Sequence, residues 1–294
     1  MSVLAEDLQV KSVLVATDFS ATSQKAVRHG VAIARHYGAK LHLVNVVSSL
    51  GFTLAGPEAM NGATEAAYRD GRRLESQLLE SGALKGLRHE ITVHRGGDVW
   101  RELNKVIRQE QVDLVVTGTR GRRGLSKVLL GSVAEQIFRR ADCPVLTVGP
   151  ISYHESQVDS VRTCLFPTDF SEASLRSLPF AVSYANQVPA KLVLLHVVRT
   201  PSAPNSLLST ASLSQLQEMT LSATFEVRPE VLVEFCPVGP ISEKILQVAA
   251  KLKAELIIMG LRRFKHVGPA SHRPWTTAYE IVCGAGCAVL TIRR

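Results

Sequence analysis

The chain of 294 residues is short of several things, and each shortage excludes a class. No apolar run approaches the roughly 18 residues that a membrane-crossing helix needs. The opening MSVLAEDLQVKSVLVATDFS sets two acids before any apolar run and offers no small-residue cleavage site. A secretory signal is therefore not expected, and a cytoplasmic location is. Cysteine is sparse and odd in number: Cys143, Cys164, Cys236, Cys283 and Cys287. Four of them lie in or beside apolar, strand-like segments, as buried reduced thiols of a cytosolic protein do. The CGAGC run is not a metal-finger spacing, and no histidine follows it. Aromatic residues make up only 5%, and no lysine-rich tail or aromatic-interleaved basic stripe appears, which argues against nucleic acid as a partner. There is no Gly-Lys-Ser/Thr triplet, so no Walker loop.

The length suits two domains of ordinary size, with core enough to need no staple. At 46% hydrophobic and 20% charged the chain is globular in composition rather than disordered. Its net charge of +8 invites anionic partners such as nucleotides. Both halves share the excess: residues 1–150 carry 20 bases against 15 acids, and 151–294 carry 14 against 11.

The chain repeats itself, and the repeat decides the architecture. SVLVATDFS at 12–20 returns as TCLFPTDFS at 163–171, and LHLVNVV at 41–47 as LVLLHVV at 192–198. VDLVVTG at 112–118 returns as AELIIMG at 254–260, and CPVLTV at 143–148 as CAVLTI at 287–292. Four blocks in one order mean two copies of a domain fused head to tail, 1–150 and 151–294, joined through the polar, turn-prone 149–160.

In the first copy, strands are predicted at Ser12–Thr17, Lys40–Val46, Glu90–His94, Leu114–Gly118 and Val145–Val148. They are nearly continuous in apolar character, as strands covered on both faces are. Amphipathic segments alternate with them at Thr22–Tyr37, Thr64–Glu80, Asp98–Glu110 and Ser132–Arg140, with Ser20 or Thr22 as N-cap of the first. Alternation of this kind predicts right-handed βαβ units and an α/β fold with an open parallel sheet in each copy. Such sheets bind ligands beyond the carboxyl ends of their strands, where strand order reverses. The second copy is shorter between its second and third strands, with a modest helix at Leu207–Leu221.

The stretch Thr117-Gly118-Thr119-Arg120-Gly121-Arg122-Arg123-Gly124 ends a strand, and Gly131-Ser132-Val133-Ala134 opens a helix. Glycines there let backbone approach a ligand without a side chain between. A helix start offers unpaired N–H groups and the positive end of the dipole, which is a phosphate site in physical terms. Arg120, Arg122, Arg123 and Lys127 add positive charge. The same glycines would also serve a tight turn and close helix–strand packing.

Gly118, Gly121, Gly131 and Ser132 follow the pattern Gly, two residues, Gly, nine residues, Gly-Ser. With Asp18 in TDFS, the strand ending Asn45-Val46-Val47, and the closing CPVLTV, the chain resembles the universal stress protein family in its tandem form. The resemblance implies a Rossmann-like, adenine nucleotide alpha hydrolase-like fold in both copies. It also implies ATP, with Mg²⁺ held mostly by phosphates and water. Ala16, Thr17 and Asp18 would face the adenine or ribose, and Val46 would offer backbone to the base. Thr117, Gly118, Arg120 and Gly121 would line ribose and phosphates, and Gly131, Ser132, Val133 and Ala134 would hold the phosphates. A carboxylate at Asp18 also fits a strand-end turn.

The second copy departs from the pattern. Asp169 and Gly260 are kept, but Arg263 stands at the second glycine position, and Trp275-Thr276 opposite Gly131-Ser132. An indole cannot give glycine's close approach, and Pro274 removes a donor beside it. The second copy is therefore expected to have lost the nucleotide site and to pair with the first, Val145–Val148 against Ala288–Ile292. A different anion held by Arg262, Arg263, Lys265, His266, His272 and Arg273 stays open, as do a homodimer and an unidentified protein partner. The histidines show no ligand spacing, and no paired-carboxylate or Ser-His-Asp pattern lies near the glycine loop.

The function expected is nucleotide-dependent regulation in the stress response. No water-activating base stands out, so at most slow ATP hydrolysis or self-phosphorylation is expected. A nucleotide-free scaffold acting through protein contacts is the alternative. An adenylate-forming enzyme would carry a glycine-rich loop after the first strand, where TDFSATS stands instead.

Overall fold

A computed structural model describes residues 9–20, 23–119, 130–149, 161–188, 190–199, 206–221, 229–262 and 276–293. They form two compact units, one within residues 9–149 and the other within 161–293.

The first unit holds β1 (Ser12–Ala16), α1 (Gln24–Tyr37), β2 (Lys40–Ser48), a 3₁₀ turn (Ser49–Phe52), α2 (Gly56–Glu80), β3 (His89–Gly96), α3 (Val99–Gln109), β4 (Leu114–Gly118), α4 (Ser132–Arg140) and β5 (Val145–Val148). Its strands are parallel throughout in the order β3-β2-β1-β4-β5. The central strands are buried along their length: β1 is fully covered, as its uninterrupted SVLVA requires. Leu14, Ala16 and Val44 project from one face into a cluster with Leu103 and Val106 of α3 and Ile137 of α4. Trp100, at the start of α3, packs against that cluster. On α1, Gly30 lies so near β1 that a Cβ would stand 2.2 Å from Val15 Cγ2.

Several element ends shift by one or two residues from the sequence reading, and two differences are of another kind. The N-cap of α1 is Ser23, whose side chain caps nothing; Ser20 Oγ instead accepts the Ser23 N–H at 3.3 Å. And α2 begins at Gly56, a full two turns before Thr64. Pro57 in its first turn costs no hydrogen bond. Farther along, the missing side chain of Gly71 lets the buried ring of Phe19 in, since a Cβ there would be 3.2 Å from Phe19 Cε2. Tertiary packing, rather than periodicity, carries that helix.

The second unit repeats the plan with β6 (Thr163–Pro167), α5 (Glu172–Gln187), β7 (Lys191–Arg199), α6 (Ser206–Leu221), β8 (Glu230–Cys236), α7 (Ile241–Lys251), β9 (Leu256–Leu261), α8 (Thr276–Gly284) and β10 (Ala288–Arg293). Its parallel order β8-β7-β6-β9-β10 matches the first unit strand for strand. Cys164, Cys236 and Cys287 are buried, Cys143 and Cys283 half-buried, and all five are free thiols. Burial pushes the Cys164 thiol well above its ordinary range and Cys287 to about 12, so neither is a ready thiolate.

Candidate functional site

The order β2-β1-β4 places the reversal of strand order between β1 and β4, which run side by side with Ala16 opposite Thr117. A crevice must open beyond their carboxyl ends, because the connections leave in opposite directions. Of the residues singled out in the sequence, Ala16, Thr17, Asp18, Thr117 and Gly118 stand at or just beyond the carboxyl ends of these two strands.

The β1 end is a tightly wired turn. Thr17 donates its N–H to Val44 O at 3.0 Å and receives the Asn45 Nδ2 amide on its own carbonyl at 2.9 Å. Thr17 Oγ1 shares a 2.9 Å hydrogen bond with Ser23 Oγ and accepts the Phe19 N–H at 2.9 Å. Asp18 Oδ1 accepts from the Ser20 N–H at 3.0 Å and from the Ser20 hydroxyl at 2.5 Å. This is an Asx turn, and it fixes the carboxylate at the mouth of the crevice. Phe19 between them takes a φ of 57°, a left-handed conformation uncommon outside glycine and asparagine. Its buried ring and the Asx bonds on either side hold it there.

The second unit builds the same turn from the same letters. Phe170 also has a φ of 57°, Ser171 N–H donates to Asp169 Oδ1 at 3.0 Å, and Phe170 N–H to Thr168 Oγ1 at 3.0 Å. One exchange separates the copies. Where Asn45 holds the Thr17 carbonyl, His196 Nδ1 meets the Thr168 carbonyl at 2.8 Å. A carbonyl can only accept, so Nδ1 is the donor in that contact. Asn45, buried in an apolar strand, was not assigned this role from the sequence; a buried amide among valines is the signal that could have found it.

Opposite the Asx turn lies the mouth of α4. Gly131 is its N-cap, extended at φ −61° and ψ 152°, and among the described residues no side chain caps the helix. Gly131 N–H donates to Thr119 O at 2.8 Å, and Thr119 N–H donates to Val148 O at 3.0 Å. Thus the end of β4 and the start of α4 are clamped together. The first-turn amides of Ser132, Val133 and Ala134 have no intrahelical acceptor by construction. Ser132 is exposed, Val133 half-buried and Ala134 buried. Thr119 Oγ1 is buried without a hydrogen-bond partner, an orphaned polar atom in the crevice wall. Gly118, at the carboxyl end of β4, is half-buried, and Thr117 Oγ1 beside it bonds to its carbonyl at 3.3 Å. Val46 sits on β2 opposite His94. It is half-buried against the cluster under α3 and α4. Arg120 and Gly121 lie outside the described residues, as do Arg122, Arg123 and Lys127.

In the second unit a cleft of about 390 Å³ lies at the matching switch point, walled by Thr168, Asp169, His196, Met259, Gly260 and Arg262 among others. Gly260 has a packing reason to be glycine: a Cβ would meet Ala173 O at 2.3 Å and Ser177 Oγ at 2.7 Å. Arg263, Lys265, His266, His272, Arg273, Pro274 and Trp275, on which the expected loss of the site turned, lie outside the described residues. Thr276 opens α8.

Comparison with known proteins agrees with this architecture. A family model described as the universal stress protein family matches residues 9–149 and again 160–273. The universal stress protein MJ0531 of Methanocaldococcus jannaschii is 29% identical over 139 residues, which is 47% of this chain and 81% of that protein. The universal stress protein YxiE of Bacillus subtilis is 31% identical over 143 residues, 46% of this chain and 96% of that one. A solved universal stress protein from Archaeoglobus fulgidus covers 98% of this chain and 100% of its own at a TM-score of 0.71 and 20% identity, a likeness of fold. With its family model matched twice in tandem, the chain belongs to the universal stress protein family.

Proposed function

We propose that the first unit binds ATP, with Mg²⁺ carried on its phosphates, and that the bound nucleotide regulates a partner-binding surface. The observation that supports this most is the uncapped mouth of α4, clamped at Gly131 to the end of β4. Three first-turn amides lack an intrahelical acceptor, and with the positive helix end they suit an anionic ligand. The buried, unpartnered hydroxyl of Thr119 beside them fits a phosphate or ribose oxygen. Asp18, fixed by its Asx turn, supplies an acceptor for ribose or the adenine amino group at the far side. Arg120 and Gly121 would close over the phosphates. When bound, Mg²⁺ would neutralise phosphate charge, and the chain itself contributes donors rather than metal ligands.

The second unit, residues 151–294, keeps a cleft but has Pro274-Trp275 in sequence where the first has Leu130-Gly131, so it is read as holding no nucleotide. Ligand binding can bias a partner surface only through unequal affinity for its two states. The regulatory role therefore depends on the nucleotide binding one state of that surface more tightly than the other.

Acid extraction of the purified protein tests the reading: about one adenine nucleotide per chain is expected. Gly131→Trp, imitating the second copy, should remove it while the melting profile stays cooperative. Two nucleotides per chain would overturn the assignment to one unit. No nucleotide, and no binding on titration with ATP and Mg²⁺, would favour a scaffold acting through protein contacts.

A further inference from the structure

At the opposite, amino end of β2 and β3 lies a cluster that the nucleotide reading does not use. His42 on β2 is paired in register with Glu90 on β3, and Glu110 closes the end of α3 above them. His42 shares its sheet face with Val44, so it lies beneath α3 and is only 3% exposed. Its Nε2 is buried with no hydrogen-bond partner, and the Glu110 Oε2 that it faces is 3.6 Å away, too far to bond. Nδ1 stands 3.7 Å from Glu90 Oε2. One donor atom from each of the three residues lies within 4.8 Å of the others.

The geometry points to a divalent-metal site of the zinc class, formed by His42, Glu90 and Glu110 and guarded by Lys40. Two ligands bound tetrahedrally to one such ion at about 2.0–2.1 Å stand roughly 3.3–3.4 Å apart, close to the observed gap between Nε2 and Oε2. One imidazole and two carboxylates are a donor set that suits zinc, cobalt or nickel, with water completing the shell. The orphaned Nε2 already faces Glu110, whereas Glu90 stands against Nδ1 and must turn toward the ion to complete the set; the two carboxylates bring the charge that balances a dication.

Lys40 is the competitor. Its Nζ lies 3.0 Å from Glu110 Oε2 and 3.3 Å from Glu90 Oε2, so an ammonium now bridges the two carboxylates. It supplies one positive charge against two, and Glu110 stands beside the negative end of α3, so the cluster keeps an unbalanced negative field. The Lys40 side chain is 36% exposed, with room to swing to solvent when a dication displaces it. Metal binding is then a charge exchange between a tethered ammonium and a free ion, sensitive to metal concentration.

The test uses the full chain, stripped with EDTA and titrated without nucleotide by Zn²⁺ in a calorimeter and by Co²⁺ followed in the visible. Wild type should bind one ion per chain at this site. Lys40→Met, which removes the competitor, should bind at least tenfold more tightly, and Glu110→Gln in that background should lose at least that factor. Lys40 and Glu110 are both solvent-accessible, and a thermal melt of each variant checks that the fold is intact. Affinity unmoved by Lys40→Met, or unmoved by Glu110→Gln, would place any bound metal elsewhere and overturn the proposal. Nucleotide content plays no part in the readout, so the two proposals stand or fall separately.

Discussion

Replacing Gly131 by alanine separates the two reasons a glycine could stand at the mouth of α4. Its φ of −61° and ψ of 152° are open to any L residue, so no conformational strain follows from a Cβ. The structural cost is confined to the N-cap preference of glycine over alanine, about 1 kcal/mol or less. That corresponds to a melting shift of roughly 2–4 °C for a domain of this size. Ligand binding is affected differently, because the added methyl stands where phosphate oxygens would approach the amides of Ser132 and Val133. Losing one charge-assisted hydrogen bond to those amides costs about 1.5–3 kcal/mol, or roughly ten- to hundredfold in Kd. The assay is ATP titration by calorimetry beside a thermal melt of the same preparations. A large loss of affinity with a small melting shift is expected. Unchanged affinity would refute the helix mouth as a phosphate site, and a large melting shift with unchanged affinity would make the glycine a packing residue.

Other substitutions give contrasting outcomes. Gly260→Ala drives a Cβ into the Ala173 carbonyl at 2.3 Å, so α5 must move; a loss of roughly 1–3 kcal/mol in stability is expected by denaturant melt, with nucleotide stoichiometry unchanged. Asp18→Ala should weaken ATP binding and Asp169→Ala should not; the reverse result in a titration would assign the nucleotide to the other unit. His29 on α1 has a buried, unpartnered Nε2, and burial together with Arg28 and Lys25 lowers its pKa to about 4. The unfolded chain takes up this proton first, so its contribution is fully present above about pH 6.5 and is lost as pH falls to about 4. The full loss approaches roughly 3 kcal/mol, from 2.5 units at about 1.36 kcal/mol each. His29→Gln should flatten that part of the stability–pH curve in chemical melts, and an unchanged curve would count against it.

Some elements could be read from the letters alone. Strands Leu114–Gly118 and Val145–Val148 and helix Ser132–Arg140 fall where periodicity put them. There the local signals agree: an unbroken apolar run, a glycine at the cap, an amphipathic stripe. The N-terminal part of α2 could not be read that way. It opens on Gly56-Pro57, with Pro57 in the first turn, where its missing N–H costs nothing, and apolar periodicity does not mark such a start. The crevice was partly legible, because its parts are backbone positions marked by glycine and a repeated TDFS. The histidine–carboxylate cluster was not: Glu90 and Glu110 come to His42 only through strand register and the end of α3, neither of which a spacing rule encodes.

The two copies show what duplication has held constant and what it has released. The Asx turn, the left-handed phenylalanine and the strand order are the same in both, down to a shared φ of 57°. These features fix a carboxylate at the switch point whatever the ligand. The Thr17 carbonyl is held by an amide in one copy and the Thr168 carbonyl by an imidazole in the other. Asn45 spends its amide donor on the turn, whereas His196 uses Nδ1 for the same task and places its ring on the wall of the second cleft. The scaffold therefore needs only a donor at this position. The choice between amide and imidazole is free to follow the ligand, so replacing His196 by asparagine should leave the fold of the second unit intact while changing what its cleft can accept. A melt of His196→Asn that loses cooperativity would show instead that the ring, stacked 4.4 Å from Phe170, is a structural element.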